Sequence, residues 1–165
     1  MTVPTTRTLN LLGFFACAGM MAYALYAQYV LYLDPCPLCI FQRIAVIGMG
    51  IAFLLLAIHN PGPGIARKGY LGLFGISSLA GIGVAGRHVW LQYLPADEVP
   101  ACGPGLSYML DTFPLGDALK MVFEGSGECA GVDWTFVGLS MPEWVLLMII
   151  LLTVFAIWNN RRASA

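Results

Sequence analysis

The sequence predicts an all-α membrane protein, a four-transmembrane-helix bundle with a long outward loop that carries a short amphipathic helix. Of the 165 residues, 59% are hydrophobic and only 10% are charged, whereas a soluble domain carries about 25% charged residues. Too little polar surface remains to cover a water-soluble globule. Four long apolar stretches also approach the roughly 20 residues that cross the hydrocarbon core as a helix. The chain is therefore predicted to form one integral membrane domain.

The predicted spans cover residues 11–33, 40–58, 70–90 and 144–158. The fourth is short, but Trp144 and Trp158 bracket it, and tryptophan favours both membrane interfaces. A cleavable signal peptide is the alternative for the first span, because a basic residue, an apolar stretch and an Ala-Tyr-Ala sequence follow one another there. The apolar run continues well past a typical signal sequence, which favours a retained helix.

Two predicted loops, 34–39 and 91–142, lie on one side of the membrane. Within the long loop, residues 115–123 place Leu115, Leu119 and Val122 on one helical face. This pattern predicts a short amphipathic helix, either lying on the membrane surface or buried as a loop helix.

The charges orient the chain. All nine acidic residues fall near residue 34 or between residues 97 and 143, while Arg7, Arg67, Lys68, Arg161 and Arg162 lie outside those stretches. The positive-inside rule then puts both termini in the cytoplasm and both predicted loops on the outer face. Because no basic patch is interleaved with aromatic residues, nucleic-acid binding has no support.

Four of the five cysteines fall in the outward loops, where disulfides persist. Cys36-Pro37-Leu38-Cys39 precedes a helix, and the N–H groups and dipole at a helix N-terminus favour a thiolate. Arg43 follows Cys39 by one helical turn and can lower its pKa or donate hydrogen bonds to a cofactor oxygen. Cys17 lies within the first span and is interpreted as a small buried apolar residue.

Cys102 and Cys129 flank the predicted amphipathic helix. They can form a disulfide that staples the loop, worth about 3–4 kcal/mol, or a mobile dithiol that exchanges with Cys36 or Cys39. A staple does not explain the separate CxxC, so two pairs together favour a relay of thiol–disulfide electron transfer. Zinc binding is the competing hypothesis for the CxxC. It is disfavoured because a zinc site needs a further close pair or a nearby histidine.

Arg43 and His88 lie just inside the outward ends of the second and third spans, a placement that allows them to face one another. Charged groups at this depth are costly and often functional. Arg87 is interpreted as a residue that reaches to the interface.

Longer motifs surround these residues. They are Pro35-Cys36-Pro37-Leu38-Cys39-Ile40-Phe41-Gln42-Arg43, Arg87-His88-Val89-Trp90-Leu91-Gln92-Tyr93-Leu94-Pro95, Cys102, Gly127-Glu128-Cys129-Ala130 and Trp134-Thr135-Phe136-Val137-Gly138-Leu139-Ser140-Met141-Pro142-Glu143-Trp144. With the four spans, they resemble the DsbB family of disulfide bond formation proteins over nearly the whole chain.

This resemblance implies a bacterial inner-membrane enzyme that reoxidises a DsbA-like periplasmic thiol oxidase and reduces a quinone, either ubiquinone or menaquinone. It implies that the partner attacks Cys102 and releases Cys129, that Cys129 exchanges with Cys36, and that Cys39 delivers the electrons. It also implies that Arg43, His88 and Cys39 line the quinone site. Gln28 matches a family position, to which no role is assigned.

Two rival functions remain. One is a related quinone-linked enzyme with a dedicated substrate, and the other is a non-catalytic metal-binding or transport protein that uses the same cysteines.

Overall fold

A computed structural model describes residues 5–62, 64–95, 97–101 and 106–162. Most of the described residues lie in four long helices: α1 (Thr6–Tyr29), α2 (Pro37–His59), α3 (Ile65–Gln92) and α7 (Met141–Arg162). Each is long and apolar enough to cross a membrane. The predicted four-helix membrane bundle is confirmed.

The connection between α3 and α7 is more structured than a loop. It contains α4 (Leu106–Thr112), α5 (Leu115–Glu124), α6 (Gly127–Ala130) and an antiparallel pair of short strands, β1 (Thr135–Phe136) and β2 (Leu139–Ser140). The turn between the strands places Val137 and Gly138 at positive φ, the geometry that suits a tight two-residue hairpin.

Helix packing builds one bundle around α2. Helix α2 packs against α1 and α3, and α7 closes the bundle against α3 and α1. An apolar core that includes Met49, Phe53, Phe74 and Ile149 fills the middle of the bundle. Cys17 belongs to the same core, which confirms its interpretation as a buried apolar residue.

The observed helix ends differ from the predicted span boundaries. Helix α1 stops at Tyr29, although the apolar run continues to Leu33. The amide N–H groups of Leu31 and Leu33 turn back to carbonyls of the last helical turn, and Tyr32 adopts a φ of 53°. Proline at position 35 also disfavours helical backbone in the residue before it. The other three helices extend beyond the predicted spans at both ends.

The predicted amphipathic helix is present as α5, and its buried face matches the predicted one in part. Ala118 and Val122 are buried, whereas Leu115 is 67% exposed. The ring of Phe123 lies 6.4 Å from that of Phe41 on α2. Helix α5 therefore packs on the bundle through Ala118 and Val122, while Leu115, at its first position, stays exposed.

Candidate active site

Cys36 and Cys39 lie at the N-terminus of α2, as the sequence predicts. Cys36 is the N-cap, and its sulfur accepts a hydrogen bond of 3.4 Å from the amide N–H of Cys39. Pro37 occupies the first helical turn, where a missing amide hydrogen costs nothing. The two sulfurs are 3.2 Å apart, and the Cys36 thiol donates to Cys39. The local sequence thus holds both thiols within bonding reach at the positive end of a helix.

Helix α3 places His88 against both thiols. Its Nε2 lies 3.8 Å from the Cys36 sulfur, and its Nδ1 lies 3.9 Å from the Cys39 sulfur. Nδ1 is also 2.9 Å from Nε2 of Gln42. His88 and Gln42 are both buried, so this contact fixes the imidazole ring in place.

Arg43 takes its hydrogen-bond partners from α1 and not from α3. Its guanidinium donates a hydrogen bond of 2.5 Å to Oε1 of Gln28 and one of 3.1 Å to the carbonyl oxygen of Ala24, and both partners lie on α1. The partner of His88 is Gln42 instead. Successive helical residues point about 100° apart, so Gln42 turns to α3 while Arg43 turns to α1. Gln28, to which the sequence assigned no role, anchors the guanidinium.

Cys129 on α6 is brought to the CxxC pair. The sulfurs of Cys36 and Cys129 and a ring nitrogen of His88 all lie within 4.8 Å of one another. A hydrogen bond to the Cys36 sulfur, followed by burial, raises the pKa of the Cys129 thiol well above its usual range. Cys129 is therefore a protonated neighbour of Cys36 when all these cysteines are free, as they are in this structure.

The segment that carries Cys129 is fastened to α3. Arg87 donates hydrogen bonds of 3.0 Å and 2.9 Å to the carbonyls of Phe123 and Glu124, at the C-terminal end of α5. A cation is favoured at that end of a helix. Gly125 then adopts a φ of 84°, and a side chain there would overlap Leu91 of α3. Arg87 was interpreted as an interface residue, and its role in positioning was missed.

Cys102 lies outside the described residues, so its predicted place in the relay stays a prediction. The preceding residue, Ala101, is described. Its carbonyl accepts a hydrogen bond of 3.3 Å from the amide N–H of Gly127, at the start of α6. The chain thus approaches the Cys129 segment immediately before Cys102.

The thiols open onto a cavity of about 120 Å³ between α1, α2, α3 and α7. Cys36, Cys39, Gln42, Arg43 and His88 all contribute to its lining. The remaining walls are largely apolar and include Met20, Met21, Val46, Val145 and Trp134. The predicted site residues Arg43 and His88 therefore line one cavity together with Cys39, although they do not bond to each other.

The sequence disfavours zinc for want of a nearby histidine or a further close cysteine pair, but the structure places both His88 and Cys129 beside Cys36. Sequence separation could not reveal this contact, because it depends on how α3 and α6 fold back onto α2. The donor set for a metal exists alongside the geometry for thiol exchange.

Comparison with known proteins identifies the family. The model of the family described as "Disulfide bond formation protein DsbB" matches residues 6–159. A relative named Disulfide bond formation protein B from Nitrosococcus oceani is 53% identical over 97% of this chain and 94% of its own length. A relative of the same name from Methylococcus capsulatus is 52% identical over 98% of this chain and 100% of its own. The chain, a multi-pass membrane protein with free thiols gathered at one end of its bundle, therefore belongs to the DsbB family of disulfide-forming oxidoreductases.

Proposed function

We propose that this chain reoxidises a DsbA-like periplasmic dithiol oxidase and passes the electrons to a membrane quinone, ubiquinone or menaquinone. One observation carries the proposal: Cys129, Cys36 and Cys39 form a continuous row of sulfurs that ends at a cavity lined by Arg43. A soluble dithiol reaches one end of such a row, and a lipid-soluble acceptor reaches the other.

The proposed setting is the bacterial inner membrane, with the thiols on the periplasmic side. The bundle end opposite the thiols carries the exposed basic residues Arg7, Lys68, Arg161 and Arg162. Basic residues near the ends of spans favour the cytoplasmic side. Both termini are then cytoplasmic, and Cys36 and Cys129 face the oxidising compartment, where disulfides persist.

The exchange steps follow the row of sulfurs. A thiolate of the reduced oxidase attacks Cys102 of a Cys102–Cys129 disulfide, forms a mixed disulfide and releases Cys129. Cys129 attacks Cys36 of the Cys36–Cys39 disulfide, and Cys39 leaves as a thiolate. The second thiolate of the oxidase resolves the mixed disulfide and frees Cys102. Cys102 then attacks Cys129, which restores the outer disulfide and leaves Cys36 and Cys39 reduced. Two electrons and two protons have passed from the oxidase to the Cys36–Cys39 pair.

The residues around the cavity fit a quinone. Apolar walls accept a lipophilic ring, Arg43 offers a fixed donor for a carbonyl oxygen, and Cys39 lines the same space. When bound, a quinone accepts two electrons and two protons as the Cys36–Cys39 pair returns to a disulfide. Gln28 and the Ala24 carbonyl hold the guanidinium in advance of binding, so little freedom is lost when the ring arrives.

An electron sink of this kind is needed on energetic grounds. DsbA is a strong oxidant at about −120 mV, whereas structural disulfides lie below about −300 mV and cannot reoxidise it. The Cys36 thiol donates a hydrogen bond to the Cys39 sulfur at the N-terminus of α2, where the helix dipole favours a thiolate. Stabilising the reduced form raises the potential of the Cys36–Cys39 disulfide in the direction that the reaction requires.

Loss of quinone absorbance with a reduced DsbA-like protein as the electron donor tests the proposal. The wild-type chain and a Cys17→Ala control should consume one quinone per oxidase dithiol. The Cys39→Ser variant should reduce no quinone, while its outer pair still exchanges once with the oxidase. Normal turnover by Cys39→Ser would show that the electrons leave by another route.

A further inference from the structure

The cluster that serves thiol exchange also has the composition of a zinc site. Cys36, Cys129 and His88 present two sulfurs and one nitrogen within 4.8 Å of one another, and all three residues are buried. Tetrahedral zinc with Zn–S bonds of about 2.3 Å and Zn–N bonds of about 2.0 Å holds neighbouring donor atoms roughly 3.5–3.8 Å apart. The distance of 3.8 Å from the Cys36 sulfur to Nε2 of His88 already meets this spacing.

Cys39 lies next to this donor set and is not part of it. Its sulfur is 3.2 Å from that of Cys36, but its contact with His88, at 3.9 Å, is with Nδ1 and not with Nε2. Two thiolates and one imidazole leave the fourth position of a tetrahedral zinc ion to a water molecule. The donors come from α2, α3 and α6, so a cation bound among them would tie these three elements together.

Gln42 orients the imidazole for this role. Its side-chain amide lies 2.9 Å from Nδ1 of His88, which leaves Nε2 facing Cys36. A metal-bound histidine generally donates its other N–H to an oxygen acceptor. The two ends of a glutamine amide exchange places by rotation, so Gln42 can accept from Nδ1–H as readily as it donates to a bare Nδ1.

We propose that the fully reduced form of this site binds Zn²⁺ through Cys36, Cys129 and Nε2 of His88, and that the zinc-bound form is inactive in electron transfer. Each coordinating thiol releases its proton, and no electron moves. Disulfide formation and zinc binding compete for the same sulfur atoms, so only the reduced site accepts the cation. Binding is independent of the proposed function, whereas the inhibition depends on it.

Cobalt(II) substitution in the full chain, purified in detergent, tests the binding directly. The protein is reduced with a phosphine, freed of reductant without oxygen and titrated with Co²⁺. We expect one equivalent to produce intense thiolate charge-transfer absorption and the visible bands of tetrahedral cobalt, both lost on addition of Zn²⁺. The air-oxidised protein should give neither. Weak absorption of octahedral cobalt alone in the reduced protein would overturn the proposal.

Variants assign the ligands. Cys129→Ser should lose about half of the charge-transfer intensity, since one of two thiolates is removed, and Gln42→Leu should weaken affinity about 10–100-fold. The Cys17→Ala and Cys102→Ser variants serve as matched cysteine controls and should keep the wild-type spectrum. A spectrum that is unchanged in Cys129→Ser or lost in Cys102→Ser would overturn the assigned ligand set.

Inhibition is measured separately. One equivalent of Zn²⁺ added to the reduced protein should slow the first turnover of quinone reduction at least about tenfold, and a chelator should restore the rate. An unchanged rate in zinc-loaded protein would refute inactivity of that form. Cobalt binding without any quinone turnover in metal-free protein would instead refute the proposed function, so the two failures are distinguishable.

Discussion

The sulfurs of Cys36 and Cys129 lie within 4.8 Å of each other, although two transmembrane helices, α2 and α3, and most of a long connection separate them in sequence. The contact joins the N-cap of α2 to the short helix α6. It places the two cysteine-bearing segments on the same side of the bundle. A relay between an outer pair and the CxxC pair requires this arrangement.

Replacing Arg43 tests the proposed quinone site at the end of the row of sulfurs. Arg43→Ala removes a guanidinium donor from the cavity, and a hydrogen bond to a charged group is worth about 1.5–3 kcal/mol. We expect the KM for quinone to rise roughly 10–100-fold in steady-state quinone reduction. Arg161→Ala, at the opposite end of the bundle, is the control and should leave KM unchanged. An unchanged KM in Arg43→Ala would remove its proposed role.

Gln28 should act through Arg43. Gln28→Leu keeps the volume of the side chain but removes the acceptor that lies 2.5 Å from the guanidinium. We expect a rise of about 3–10-fold in quinone KM, because a loosened arginine loses about 1 kcal/mol of its interaction. In the Arg43→Ala background the same change should add nothing. Equal effects in both backgrounds would show that Gln28 acts independently.

Much of this bundle could be predicted because long apolar stretches mark membrane helices with little ambiguity. Helix ends could not be placed, since the turn after Tyr29 is made of residues as apolar as the helix itself. The contacts of Gln42 and Arg43 could not be predicted from the sequence either. Which of two adjacent helical residues meets α3 and which meets α1 depends on the rotation of α2 in the bundle, and composition does not encode that rotation.

Contacts between residues far apart in sequence could not be predicted either. Spacing identified Cys36, Cys39, Cys102 and Cys129 as reactive candidates, but it gave no distance between Cys129 and Cys36. The hydrogen bonds from Arg87 to the end of α5 hold the chain that leads to Cys129 against α3. An arginine near a membrane boundary is also expected to reach to the interface, so its sequence position carried no sign of this role.

Arg87→Ala should therefore impair the relay from a distance. Loss of two hydrogen bonds on a partly exposed side chain should lower the free energy of unfolding by about 1–2 kcal/mol and loosen the Cys129 segment. We expect exchange between Cys129 and Cys36 to slow several-fold in stopped-flow thiol quantification, with quinone KM unchanged. The control is Lys120→Ala on α5, whose exposed ion pair with Glu124 at 3.9 Å should contribute little.

The pH dependence of alkylation tests the electrostatics of the Cys129 thiol. Its pKa is raised by the hydrogen bond to Cys36 and by burial, so the thiol stays protonated to a higher pH than an ordinary cysteine. In fully reduced protein, the midpoint of its alkylation rate should lie above that of a free thiol. Cys36→Ala should shift this midpoint down. A midpoint unaffected by Cys36→Ala would show that the two sulfurs do not interact.

The most direct measurement of the relay is a disulfide trapped between its two pairs. In a Cys39→Ser/Cys102→Ser double variant, Cys36 and Cys129 each lose their usual exchange partner. After mild oxidation, peptide mass mapping under non-reducing conditions should find them joined to each other, with Cys17 still a free thiol. If Cys36 and Cys129 both stay free, or bridge only between molecules, electrons do not pass between these sulfurs and the account is contradicted.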